Sequence, residues 1–171
     1  MKPEPREETK LWEEIFYEKL GGVIFHLKAM ALFKKNDLEG YAKLHEYHAK
    51  EEFAAAVHIL GDCVEHLDSG LLIDYMRAHE VPTFAVQGST KEEMMISGLE
   101  IYEDWEDEAY KKLREHRSHL TDTKEHIEYL IHDVREEREF IHELWEMIEQ
   151  DRNNLEALNE KLCLYYKRKM D

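Results

Sequence analysis

Six ionisable side chains fall where a helical chain should be apolar. Lys19 and His26 lie on the stripe formed by Trp12, Ile15, Gly22, Ala29 and Phe33. His48 and Glu52 lie on the stripe Tyr41, Leu44/His45, Ala55 and Ile59. Glu106 shares a face with Met95, Leu99, Tyr102, Ala109 and Leu113, with Trp105 at its edge. Glu137 shares one with Ile127, Leu130/Ile131, Val134, Ile141, Leu144/Trp145 and Ile148. These spacings of three and four place each set on one helix face. A charge on such a face needs a counter-charge or a cation to meet it.

Three arrangements satisfy the pattern. Carboxylates gathered from several helices build an iron or manganese site in a bundle. Hard oxygen ligands suit Mn, Fe(II), Mg or Ca, and a histidine tilts the choice toward iron. Alternatively Lys19 faces Glu52 or Glu137, and the groups neutralise one another without metal. A different helix phase would turn the same groups to solvent. A lone inward histidine such as His26 also serves as a hydrogen-bonded core residue.

Other motifs carry less. Glu139-x-x-His142 lies off the inward stripe and reads as a solvated pair. His45-x-x-His48 and His116-x-x-His119 have the spacing of surface metal clips, a spacing that eleven histidines also produce by chance. The chain has no His-x-x-x-His, phosphate-binding loop, GxGxxG or HExxH, and no nucleophile–base pattern.

The elements that position these residues are helices. The chain has 171 residues, enough for one domain with a sizeable core, and only seven glycines and three prolines. Charged residues make up 36% of it, which points to an all-α protein. The N-terminus, MKPEPREETK, has no apolar signal region, and no apolar run, residues 54–57 included, approaches the length of a membrane span. The expectation is a cytoplasmic protein with no membrane partner. A net charge of −16 argues against nucleic acid as the main ligand and favours cations, although acidity also serves solubility alone. Cys63 and Cys163 form no CxxC, so they read as small core residues.

Along the chain, residues 1–9 read as a loose leader. A first helix is expected over 10–35, within a bundle over 10–150. Gly21 and Gly22 cost it roughly 1 kcal/mol each in propensity and allow a neighbour to approach closely. Asn36-Asp37 is a short break, with Asp37 as N-cap of a second helix running to about His66. So short a link makes an antiparallel hairpin. Residues 68–88 read as a long crossover, which sets the third helix parallel to the second. Ser89 with Glu92, or Thr90 with Glu93, makes a capping box for a third helix to about His119. Asp122 with Glu125 caps a fourth. Asn153 with Glu156 caps a short fifth over 153–171, with Leu155, Leu158, Leu162 and Tyr165 inward.

At the second helix the chain resembles the non-haem ferritins of bacterial type. LEGYA (38–42) followed by HAKEEF (48–53) looks like their turn into helix B. LKAMALF (27–33), HIEYLIHDVREE (126–137), the long connection and the short last helix also fit. The resemblance covers nearly the whole chain. It implies a ferritin-like antiparallel four-helix bundle with one long crossover connection and a short C-terminal fifth helix. It further implies iron as cofactor or cargo, metal cations as partners, and a homo-oligomer that can close into a cage.

Carried over by position, the ferroxidase glutamate of helix B falls on Glu52 and its acidic neighbour on Glu51. The family's next histidine falls on Ala55, its first-helix glutamate on Lys19, and a tyrosine on His26. On the fourth helix one glutamate falls on Glu137 and its partner on Val134. On the third helix the register slips between Glu103 and its neighbours Tyr102 and Glu106. The resemblance therefore implies Glu52, Glu137, Glu103, Glu51 and His48 as the metal-ligand set. The same carry-over implies a ferroxidase centre that is altered or lost, with Lys19 as internal counter-ion. The other implication is a ferritin-fold structural or interaction module without iron chemistry.

Overall fold

The computed structural model describes residues 5–64, 86–120 and 124–171. Five helices account for most of them: α1 (Pro5–Lys35), α2 (Glu39–Asp62), α3 (Lys91–His119), α4 (Lys124–Gln150) and α5 (Leu155–Met170). A single 3-10 turn, Arg152–Asn154, separates the last two. Most of the expected crossover over 68–88 lies outside the described residues, as does Asp122 of the expected fourth-helix cap. Among the described residues no helix is long and apolar enough to cross a membrane.

Helix ends differ from expectation where distant groups do the capping. The expected leader is helical from Pro5, since a proline at the first helical position lacks only an N–H that would have had no partner. Asp37 is not an N-cap. It takes a left-handed backbone with φ of 58°, while Leu38 donates its N–H to the Phe33 carbonyl at 2.9 Å. The first residue positions of α2 are capped instead from α5, where the Asn159 Oδ1 accepts from Gly40 N at 2.9 Å and Tyr41 N at 3.2 Å. A Cβ at position 40 would fall 1.8 Å from the Asn159 carbonyl oxygen, so only glycine allows this approach.

Helix α2 ends at Asp62, short of His66. Of the two candidate capping boxes, Thr90 with Glu93 forms at the start of α3. The Asn153–Glu156 box does not form, because the 3-10 turn occupies that position and leaves Asn154 as N-cap without a side-chain bond. Starting α5 at Leu155 sends Leu158, Asn159, Leu162 and Tyr166 inward, and Tyr165 outward. Tyr166 rather than Tyr165 therefore fills the core.

The core is in two parts. One holds Phe25, Phe33, Tyr41, Leu44, Met95, Leu99, Ile141, Leu144 and the inward face of α5. The other holds Trp12, Ile15, Ala56, Ile59, Leu113, Ile127, Leu130 and Val134. The first part takes the end of α1, the start of α2, the start of α3 and the end of α4. Helices α2 and α3 thus point one way and α1 and α4 the other, which is the arrangement a crossover between α2 and α3 produces. Between the two apolar parts lie the buried side chains of Lys19, His26, His45, His48, Glu52, Glu106 and Glu137.

Candidate metal centre

Each helix of the bundle delivers its ionisable residue to the same height. The six sequence candidates on the inward stripes are all buried. His26, Glu52, Glu106 and Glu137 each place one ligand atom within 4.8 Å of the others. Four donors from four helices, three of them carboxylates, are a set that hard or borderline divalent cations accept.

Two contacts meet part of this charge. Lys19 Nζ lies 3.4 Å from both oxygens of Glu52. His48 Nδ1 lies 2.7 Å from Glu137 Oε1, and Tyr102 donates its hydroxyl to Glu137 Oε2 at 3.3 Å. Burial works against the Lys19 ammonium, but Glu52, Glu106 and Glu137 outweigh it and hold its pKa above the usual value. Burial likewise opposes charge on His48, and Glu137 overcomes it, raising the ring to about 9. For Glu137 burial is again outweighed by His48, which holds its carboxyl below the usual range.

The rest is not met. Glu106 is 1% exposed, and neither of its oxygens has an aligned hydrogen-bond partner among the described residues. Its neighbour Glu137 is another carboxylate, so burial first and that charge second push the Glu106 pKa well above the carboxylate range. His26 Nε2, 3.9 Å from Glu106 Oε1, also lacks an aligned partner among the described residues, as do both ring nitrogens of His48, whose contact with Glu137 is one of charge and proximity. Burial holds the His26 ring neutral, down to about 3. Burial also raises Glu52, to about 7. Polar atoms left this way in a core usually mark a catalytic, strained or ion-binding position.

Gly22 leaves room for the arrangement. A Cβ there would fall 2.8 Å from Glu52 Oε2. The close approach expected of the Gly21-Gly22 pair is thus made by a side chain of the site itself.

Of the residues expected as ligands, Glu52 and Glu137 belong to the four-residue cluster. His48 and Glu51 form a second group with Glu137, in which Glu51 is exposed. Glu137 is common to both. Glu103 is not brought to the layer: it accepts from Trp145 Nε1 and lines an outer groove with Asp107 and Arg138. The third-helix position is filled by Glu106, and His26 contributes where a lone core histidine was the simplest reading. Ala55 is half-buried and Val134 is apolar core, so neither offers a ligand. A cavity of about 250 Å³, walled by α2, α4 and α5, reaches His48 and Glu137 from outside.

No family model and no curated protein matches the sequence. Solved structures do. A ferritin of Archaeoglobus fulgidus, engineered to a closed form, aligns with TM-score 0.65 at 14% identity, over 92% of this chain and 95% of its own. The open-pore ferritin of that hyperthermophilic archaeon gives 0.64 at 14%, over the same shares. A PmFTN variant soaked in iron gives 0.61 at 18%, over 90% of this chain and 97% of its own. The chain has the ferritin-like fold.

Proposed function

We propose that this chain is a ferritin-fold subunit that binds one divalent cation per bundle, iron in the first instance, between His26, Glu52, Glu106 and Glu137. Glu106 carries the reading: a fully buried carboxyl, on the inner face of a four-helix layer, with no donor aligned on either oxygen among the described residues. Iron is cargo here. The ion-pair half of the layer, Lys19 with Glu52, keeps an ammonium in the layer beside any second ion. Like charges a few Å apart repel by about 4 kcal/mol at moderate effective dielectric. The layer therefore suits binding of a single ion better than paired-ion oxidation.

The chain's own groups set the conditions. Glu106, kept protonated by burial and Glu137, releases its proton to a cation, and Glu52, raised to about 7, does the same at lower pH. Binding should tighten as pH rises through about 7. Self-association is supported by an outward apolar row on α2, Phe53, Val57 and Leu60, each at least 40% exposed. The ferritin fold supports assembly into a homo-oligomer or a cage.

Anaerobic Fe(II) titration by calorimetry tests this. One saturable ion per chain is expected, with proton release and no oxygen uptake above an iron-only control once air is admitted. A flat titration would remove the cation reading. The second reading, a self-neutralised structural layer without iron, is favoured by the two ion pairs already formed. It predicts that flat titration. Native mass measurement decides assembly: a monomer would sink the shell.

A further inference from the structure

His45 is buried as completely as His26 yet stands outside the four-residue cluster. Its Nδ1 lies 3.0 Å from the Nδ1 of His26. Two ring nitrogens at that separation share one hydrogen, so one ring donates and the other accepts. A neutral imidazole carries a single hydrogen, on one ring nitrogen or the other. The direction of this bond therefore decides which nitrogen of His26 is bare.

If His45 donated, the hydrogen of His26 would sit on Nε2. That atom has no hydrogen-bond partner among the described residues and lies 3.9 Å from Glu106 Oε1. A buried N–H without an acceptor is rarer and costlier than an acceptor without a donor. If His26 donates instead, a bare Nε2 lone pair faces Glu106 and the other carboxylates.

We propose that His45 is a positioning residue for this site: it accepts the Nδ1–H of His26 and turns the bare Nε2 of that ring toward the carboxylates. The assignment of a role toward a cation rests on the reading of the cluster as a cation site. Histidines that bind metals have their other ring N–H held in this way, which fixes tautomer and orientation together. The His45 ring is itself held. Phe33 stacks on it at 5.6 Å with an interplanar angle of 9°, and Tyr102 packs edge-on at 5.1 Å. Phe33 closes α1 and His45 follows the hairpin in α2, so the short link sets the register of the pair.

Histidine 15N NMR on the metal-free full chain at neutral pH tests the proposal. In the wild type His26 is expected with its hydrogen on Nδ1. His45→Phe keeps a ring against Phe33 and removes the acceptor. It should move the His26 hydrogen to Nε2 and weaken Fe(II) binding, measured anaerobically, by about 10–100-fold. His45→Gln, whose amide oxygen accepts, should restore the tautomer and most of the affinity. A wild-type His26 with its hydrogen on Nε2 would overturn the proposal, as would a tautomer unmoved by His45→Phe. Should that variant not fold, the wild-type tautomer decides. An Nδ1–H tautomer in a wild type that binds no Fe(II) would overturn the cation reading and leave the direction of the bond standing.

Discussion

Two halves of the same buried layer treat charge differently. On one side Lys19 lies 3.4 Å from Glu52, and His48 lies 2.7 Å from Glu137. On the other, His26 Nε2 and both Glu106 oxygens lack an aligned partner among the described residues, as the His48 nitrogens do, and here no cationic side chain stands against the carboxyl either. All belong to one layer between two apolar cores, so burial is common to both. What differs is whether a cation is built into the chain. The met half carries two cationic groups against two carboxylates. The unmet half carries a neutral ring and a carboxyl held protonated. Removing a group from the met half should therefore cost stability, whereas removing one from the unmet half should cost binding.

The largest effects are expected at Lys19, and Lys19→Met gives the simpler test. It strands Glu52 without its partner in the core, and breaking one side of a buried pair costs about 3–5 kcal/mol. Chemical denaturation above pH 7 measures it. Glu52 titrates near 7, so the loss should shrink at lower pH, where Glu52 protonates. Lys19→Glu should be worse without metal and gain more from an added divalent cation. Equal stability of wild type and Lys19→Met above pH 7 would mean the pair contributes nothing and the two halves do not differ.

His48 provides the pH dependence of the met half. Its folded pKa, about 9, lies above the ordinary 6.5. A raised base stabilises the fold fully below its unfolded pKa and loses that contribution as pH rises through the folded one. Stability should fall between about pH 6.5 and 9, by on the order of 3 kcal/mol at most. His48→Gln should flatten that slope. A wild-type stability that is level across this window contradicts the assignment.

Glu106→Gln probes the unmet half. In metal-free protein it should change stability by less than about 1 kcal/mol, because the native carboxyl is already neutral. Its effect should appear on adding cation. At a hundred times the dissociation constant the wild type gains about 2.7 kcal/mol by linkage, and Glu106→Gln should gain little at that concentration. Equal melting shifts in both proteins would move the cation elsewhere, with the group of His48, Glu51 and Glu137 the next to test.

How much of this was legible depended on what each residue competes with. Lys19, His26, His48, Glu52, Glu106 and Glu137 stood out because each interrupts an apolar stripe. Glu103 and Glu106 were not separable by period, because α3 carries carboxylates at 100, 103, 104, 106, 107 and 108, on every face. Packing decides there, since Trp145 of α4 takes Glu103 outward. Capping of α2 by Asn159 joins residues more than a hundred positions apart, so no local signal announces it. The same holds for His45. It was visible as an alternative to Leu44 on its stripe, but its partner His26 lies on another helix.

The smallest effect should come from Gly22→Ala, and it tests the comparison most finely. The added Cβ would meet Glu52 Oε2 at 2.8 Å. That oxygen ends a flexible side chain, so it can retreat without moving the backbone. Alanine also gains helix propensity over glycine, about 1 kcal/mol in favour of the variant. The two terms oppose, so net stability should change by no more than about 1 kcal/mol. The carboxylate, however, has shifted relative to both Lys19 and the remaining ligands. A cation held by four donors is sensitive to such a shift, whereas an ion pair with a long lysine side chain follows it. Fe(II) affinity should thus fall while metal-free stability holds. If stability falls and affinity does not, Glu52 serves Lys19 alone, and the two halves of the layer are not joined through it.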